Sequence, residues 1–153
     1  MEIDSKLTVG RLHGPLDLLA LVASFADLSE GTEFQSYKEP QWRFLLSGEE
    51  MTGYVIYSRG EERSNDTADP HLDGCVLKVN LDDDTIGFGM VLVRPSKRGK
   101  GLARVLLKEA MQAGKEQGKR FVLAVCSTLG QPLYRKLGFL DAGVVTALTC
   151  SAS

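Results

Sequence analysis

The chain has 153 residues, of which 43% are hydrophobic and 25% are charged. These figures indicate a single globular domain over residues 1–153 and exclude an extensively disordered chain. No apolar run is long enough to span a membrane, and the first ten residues lack the basic and apolar segments of a signal peptide. Cys75, Cys126 and Cys150 form neither a disulfide framework nor a zinc motif, so we expect a cytoplasmic protein without a metal.

The net charge of −2 hides an uneven distribution. Residues 94–136 contain eleven Lys or Arg and two Glu, a balance of +9, whereas the other 110 residues contain seven basic and eighteen acidic side chains, a balance of −11. The basic stretch is expected to meet an anion, either a phosphorylated cofactor or a nucleic acid. The simpler interpretation of any one lysine is a solvated helix face.

The first half of the chain has mixed patterns. Apolar spacing predicts an amphipathic helix over Pro15–Leu28, ended by Gly31. A second short helix is predicted over Tyr37–Leu46 and a strand over Met51–Tyr57. Residues 58–71 are polar and contain Gly and Pro, which predicts a long, exposed and mobile connection.

The second half begins with a predicted hairpin. Gly74–Val79 and Ile86–Val93 are predicted strands, the latter buried on both faces because it is continuously apolar. Asp82, Asp83 and Asp84 between them suit a solvated turn better than a metal site. A helix is predicted over Gly101–Gln117, ended by Gly118. The apolar face of this helix comprises Leu102, Val105, Leu106, Ala110 and Ala113.

The remaining predicted elements complete a crossover. Phe121–Cys126 is apolar throughout and is predicted to be a fully buried strand, followed by a short helix over Gln131–Leu137 that ends at Gly138. Val144–Cys150 is predicted to be a last strand. A strand, a helix and a strand within about 40 residues predict a right-handed crossover whose two strands are parallel.

The segment between the Ile86–Val93 strand and its helix has the composition of a phosphate-binding loop. Gly99 and Gly101 permit unusual backbone angles and close approach of a ligand, and the first N–H groups of a helix are unpaired and favour anions. Lys97, Arg98 and Lys100 add positive charge. The spacing matches neither a Walker A loop nor the GxGxxG fingerprint.

Two motifs resemble those of the GCN5-related N-acetyltransferases. Arg98, Gly101 and Ala103 are similar to the Q/R-x-x-G-x-G/A pyrophosphate motif of that superfamily, placed as there between a strand and an amphipathic helix. Leu133–Phe139 resembles its L-Y-x-x-x-G-F segment. Together the motifs cover roughly residues 84–140. The wider segment Ser127–Tyr134 resembles a subgroup of acetyltransferases of unassigned substrate, some of which have a second C-terminal domain.

The resemblance implies a mixed, mostly antiparallel sheet flanked by helices, with one splayed parallel strand pair. It implies acetyl-CoA as co-substrate and acetyl transfer to an amine of a small molecule or peptide by direct attack, with Tyr134 protonating the leaving thiolate. Ser127 or Thr128 occupies the region where many relatives have Asn. The implied cofactor-binding residues are Val91, Leu92, Val93, Arg98, Gly99, Lys100, Gly101, Leu102, Ala103, Ser127 and Lys136.

Several points stay open at the level of sequence. The family has two final strands where this chain has room for one, so a homodimer or a further domain is expected to complete the sheet edge. Glu49, Glu50 and Asp84 are candidate general bases with no discriminating pattern, and an inert Cys126 is favoured over an acyl-cysteine route. The alternative functions are an acyl-CoA-binding module without turnover and, with less support, a nucleic-acid-binding domain.

Overall fold

The computed structural model describes residues 7–11, 26, 28–32, 51–58, 72–146 and 148. Five strands form one sheet in the order β1-β2-β3-β4-β5, antiparallel from β1 to β4 and parallel between β4 and β5. The strands are β1 (Leu7–Arg11), β2 (Met51–Ser58), β3 (Leu72–Asn80), β4 (Thr85–Val93) and β5 (Phe121–Ala124). The helices are α1 (Leu102–Glu116) and α2 (Gln131–Lys136), and a 3-10 turn covers Pro95–Lys97. The predicted fold class is confirmed.

The hairpin between β3 and β4 closes as predicted. The Leu81 N–H donates to the Thr85 carbonyl at 2.9 Å, and the Asp82 carboxylate accepts the Asp84 N–H at 2.8 Å. An aspartate that bonds the backbone two residues ahead stabilises such a turn. The three aspartates are therefore turn residues on an exposed tip.

Helix α1 packs on the sheet and encloses the core. Its buried residues are Leu102, Leu106, Leu107, Ala110 and Gly114. Leu107 takes the place that the spacing assigned to Val105, which is half-buried. Gly114 permits a close approach, because a Cβ there would lie 2.6 Å from Ile86 Cδ1. No helix in the described ranges is long and apolar enough to cross a bilayer.

The prediction of a fully buried strand over Phe121–Cys126 is wrong. β5 ends at Ala124, and Phe121, Leu123 and Val125 are 55%, 50% and 64% exposed. Val122 and Ala124, on the other face, pack against the core. An apolar strand is buried on both faces only when a layer of structure covers each face of the sheet. Among the described residues, α1 and α2 cover only one face of β5.

The prediction of a strand at Val144–Cys150 is also wrong over its described residues, 144–146 and 148, which form no strand. Val144 and Val145 are 95% and 69% exposed. β-branched residues favour strands mainly through packing and pairing, and this segment has neither here. β5 is consequently one edge strand of the described sheet, and β1 is the other.

The first half of the chain is described in part. Ala26, Leu28 and Ser29 are helical, and Gly31, with φ 72°, ends that helix as predicted. Residues 15–25, the helix predicted over 37–46 and the connection at 59–71 lie outside the described residues. β1 was not predicted, because its five residues carry neither an apolar run nor clear alternation.

Candidate functional site

The two parallel strands separate halfway along β4. Pairing runs from Thr85 opposite Phe121 to Phe88 opposite Ala124 and then stops, although β4 continues to Val93. On the side away from β3, the backbone of residues 89–93 therefore has no strand partner within the described part of the chain. An unpaired strand edge offers N–H and C=O groups to an extended ligand. This gap is the predicted splay, and Val91, Leu92 and Val93 line it.

A β-bulge shapes the same stretch of β4. Leu77 pairs with Gly89 and Cys75 with Leu92, so β4 has one residue more than β3 over this interval. Met90 has φ 51°, which is uncommon for a residue with a side chain. Bulges bend a strand and redirect its backbone groups, and they cluster near functional sites. The bulge leaves Met90 and Val91 half-buried, so within the predicted strand full burial is limited to Ile86–Phe88 and Leu92.

The loop after β4 ends at the start of α1 with open backbone donors. Gly99 and Gly101 have φ of 74° and 79°, and a Cβ at Gly99 would meet nothing within 4 Å. The first helical bond runs from Val105 N to Gly101 O at 3.1 Å. The N–H groups of residues 102–104 have no acceptor among the described residues. Such a helix start, with glycines before it, fits a phosphate.

Two arginines hold this loop through carbonyl groups. Arg94 donates from Nε and Nη2 to the Leu72 carbonyl at 3.0 and 2.7 Å. Arg98 donates from Nε to Val93 O at 2.9 Å and from Nη2 to Glu30 O at 2.6 Å. The Arg98 N–H bonds to Pro95 O at 3.2 Å. The exposed Lys100 and the open N–H groups are therefore better placed than Arg98 to meet an anion.

Tyr134 lies in the core cluster, where 7% of its surface is exposed. Its ring meets that of Phe139 edge-on, and Phe139 lies beside Phe88, the last residue of β4 paired with β5. The hydroxyl makes no hydrogen bond to a described residue. Burial, and then the neighbouring Cys126, raise the pKa of Tyr134 to about 12, so the phenol is protonated at neutral pH.

Two predicted residues lie between β5 and α2. Cys126 is half-buried, continues the inner face of β5 and packs against the core cluster. Ser127 is exposed, and its Oγ and carbonyl accept the Gly130 N–H at 3.3 and 3.0 Å. Because Oγ accepts, its own proton is free for another acceptor. The buried Cys75 differs, since burial raises the pKa of its thiol to about 12.

The remaining candidates lie elsewhere. Lys136 is exposed and, two residues after the buried Tyr134, lies on the opposite side of α2. Asp84 precedes β4, at the far end of that strand from the loop, and pairs with Arg120 at 3.7 Å. Glu49 and Glu50 lie outside the described residues. Within the residues described, no group of three or more metal-ligating side chains occurs.

Sequence analysis missed the bulge at Met90 and both arginine contacts. A methionine at positive φ has no signature in sequence. The Arg98–Glu30 contact joins residues 68 apart, and no local pattern indicates such a pair. Phe139, by contrast, is part of the motif that indicated Tyr134.

A mostly antiparallel sheet with one splayed parallel pair, and a glycine-containing loop with open N–H groups beyond it, are the features that the resemblance to the acetyltransferase motifs implies. The sequence profile described as "Acetyltransferase (GNAT) domain" matches residues 50–140, more than half of the chain. The chain belongs to the GNAT acetyltransferase family, and acetyl-CoA is accordingly its co-substrate. Comparison with curated protein sequences finds no match.

Solved structures share the fold. An aminoglycoside acetyltransferase from an uncultured soil metagenomic sample is 18% identical, with TM-score 0.67, covering 95% of this chain and 99% of that one. Glucosamine-6-phosphate N-acetyltransferase from Arabidopsis thaliana is 14% identical, with TM-score 0.68 and coverage of 95% and 99%. Aminoglycoside N-acetyltransferase AAC(6')-Iy, solved with CoA, is 14% identical, with TM-score 0.65 and 95% coverage of both chains. At these identities the likeness concerns the fold alone.

Proposed function

We propose that the protein transfers the acetyl group of acetyl-CoA to a primary amine by direct attack, with Tyr134 as the general acid. The observation that carries this proposal is the placement beside the gap between β4 and β5 of a protonated phenol that has no hydrogen-bond partner among the described residues. Acetyl-CoA supplies an activated acetyl thioester.

The loop and the gap divide the work of binding. The open N–H groups of residues 102–104, with Gly99, Lys100 and Gly101 before them, hold the pyrophosphate. The unpaired edge of Val91–Val93 bonds the pantetheine arm as a strand would, and a backbone N–H there polarises the acetyl carbonyl. The Ser127 hydroxyl donates to a pantetheine amide. Arg98 and Ala103 complete the motif, and the basic stretch that includes Lys136 meets the remaining phosphate charge.

Tyr134 holds the proton that the leaving sulfur requires. A phenol with a pKa of about 12 keeps its proton across the range in which amines become nucleophilic, so it is available to donate. The acceptor amine must lose a proton before or during attack. Asp84 lies at the end of β4 away from the loop and pairs with Arg120, so it is a poor candidate for the base that takes that proton.

The acceptor is proposed to be a small cationic amine. Structural neighbours include an aminoglycoside acetyltransferase and a glucosamine-6-phosphate N-acetyltransferase, which are named for amine-bearing small molecules. The −11 balance outside residues 94–136 favours a cation. A screen of polyamines, aminoglycosides, amino acids and peptide N-termini, followed by CoA release, tests this. Better turnover of neutral or anionic amines than of cationic ones would overturn the acceptor class.

A titration separates this proposal from the two alternatives. Acetyl-CoA binding with turnover supports the enzyme, and binding without turnover in the whole screen supports an acyl-CoA-binding module. Binding of DNA or RNA without CoA binding would support a nucleic-acid-binding domain. CoA affinity should fall between 0.1 and 1 M salt, as the Debye length shrinks from about 10 Å to about 3 Å. The reason is that contacts to the CoA phosphates supply much of this affinity and are screened by salt.

A further inference from the structure

The Arg98 side chain connects the loop before α1 with a turn far away in the sequence. We call residues 28–32 the distal turn. Arg98 Nη2 donates to the Glu30 carbonyl within it at 2.6 Å, while Nε donates to Val93 O, at the end of β4, at 2.9 Å. One guanidinium group thus bridges the strand that lines the gap and the distal turn.

The distal turn is compact and carries a carbonyl in need of a donor. Leu28 and Ser29 are fully buried, and Thr32 donates to Ser29 O from N at 2.9 Å and from Oγ1 at 2.6 Å. Gly31 has φ 72°, and a Cβ there would lie 3.7 Å from Arg98 Nη1. The last carbonyls of a helix lack intrahelical partners. The guanidinium supplies one to Glu30.

We propose that Arg98 is a positioning residue that couples occupancy of the phosphate-binding loop to the order of the distal turn. This inference rests on the proposed function, because CoA is the ligand that occupies the loop. The two carbonyl bonds use the Nε–H and one Nη2–H of the guanidinium group and hold the side chain between β4 and the distal turn.

The coupling has a physical origin in the backbone of the loop. Arg98 precedes Gly99 and Gly101, both at positive φ, and glycines make the unliganded loop flexible. A phosphate bound to the N–H groups of residues 102–104 fixes the backbone of the loop. The Arg98 Cα, from which the side chain extends, is then fixed as well. Less conformational freedom is then lost when the guanidinium bonds Glu30 and Val93. By linkage, anything that orders the distal turn strengthens CoA binding by the same factor.

Hydrogen exchange of the Thr32 amide tests the coupling, because its bond to Ser29 O closes the distal turn. We expect saturating CoA to slow this exchange severalfold in the wild-type protein. In Arg98→Ala, CoA should still bind and the exchange of Thr32 should not respond. Arg98→Lys, whose single ammonium group does not reproduce the two-pronged geometry, should show a reduced response and serves as the test if Arg98→Ala unfolds.

Lys115→Ala is the matched control, because it removes the same charge at the end of α1 away from the loop and does not touch the distal turn. Its Thr32 exchange should respond to saturating CoA as in the wild type. Wild-type protein that binds CoA with unchanged Thr32 exchange would overturn the coupling and leave the proposed function intact. Wild-type protein that does not bind CoA would overturn both. A full response in Arg98→Ala would also overturn the role of Arg98.

Discussion

The Tyr134 and Phe139 rings meet edge to face, with 5.2 Å between their centroids and 85° between their planes. This packing fixes the tyrosine ring while its hydroxyl stays without a partner among the described residues. The ring is buried but the hydroxyl oxygen reaches solvent, so the hydroxyl is available to bond a ligand. The ring of Tyr134 therefore packs in the core while its hydroxyl is available for chemistry. The substitution Tyr134→Phe separates these two roles.

The raised pKa of Tyr134 makes the stability of the protein depend on pH in a defined window. The unfolded phenol loses its proton near pH 10, whereas the folded one keeps it until about pH 12. Stability from this group is therefore complete below pH 10 and is lost as the pH rises towards 12. A rise of about two in pKa corresponds to a loss of about 3 kcal/mol in the free energy of unfolding.

Urea unfolding at pH 8, 10 and 11.5 measures this dependence. Tyr134→Phe should lose less stability than the wild type over that range, and the difference between the two proteins isolates Tyr134 from other titrating groups. Parallel curves for the two proteins would show that the phenol has an ordinary pKa.

Gly101→Val should abolish CoA binding with the fold retained. A β-branched residue at φ 79° is strained and places a side chain where the pyrophosphate is proposed to lie. Gly118→Val is the control, because Gly118 has the same φ of 79° at the other end of α1 and a Cβ there meets nothing within 4 Å. Both variants should lose similar stability in thermal melts, and Gly118→Val alone should bind CoA in calorimetry. Equal CoA affinity in Gly101→Val and Gly118→Val would show that the loop does not bind CoA.

The two described thiols should differ sharply in reactivity. In a Cys150→Ser background, Ellman's reagent should label the half-buried Cys126 in the native protein but reach Cys75 only after unfolding, because Cys75 is buried and its thiol pKa is about 12. Since Cys126 lies next to Tyr134, CoA should slow its labelling severalfold. Labelling that ignores saturating CoA would place the CoA thiol away from Tyr134.

The half of the fold from β3 to α2 was predictable because its signals are local. Apolar runs, glycines at 101, 118 and 138, and the two motifs define those elements without reference to distant residues. Where the prediction is wrong, at the outer face of β5 and at Val144–Val145, burial depends on a covering layer that a run of apolar letters does not reveal. The bulge at Met90 and the Arg98–Glu30 bond depend on tertiary packing and escape local patterns altogether.

The outer side of β5 should pair or dock in solution. Phe121, Leu123 and Val125 expose apolar side chains on one face of β5, whose outer backbone edge has no strand partner among the described residues, and proteins usually cover such surfaces. We expect a homodimer, or a partner domain at this edge, and Leu123→Lys should weaken that association in sedimentation experiments. Leu81→Lys, at a leucine equally exposed on the hairpin tip, is the control. A strictly monomeric protein at high concentration, with fast amide exchange along β5, would show that the edge stays open.

Tyr134→Phe should separate chemistry from packing. Phenylalanine keeps the ring that meets Phe139, so CoA affinity and the melting temperature at neutral pH should stay close to those of the wild type. The proton for the leaving sulfur is lost, and turnover in the CoA-release assay should fall by about a hundred- to ten-thousand-fold, the usual range for a positioned acid. With a pKa of about 12, the ionisation of Tyr134 lies above ordinary assay conditions, so the pH profile of turnover up to pH 10 should keep its shape in the variant. A fall in turnover of less than about threefold would mean that water supplies the proton, and a parallel fall in stability would assign the hydroxyl to the core.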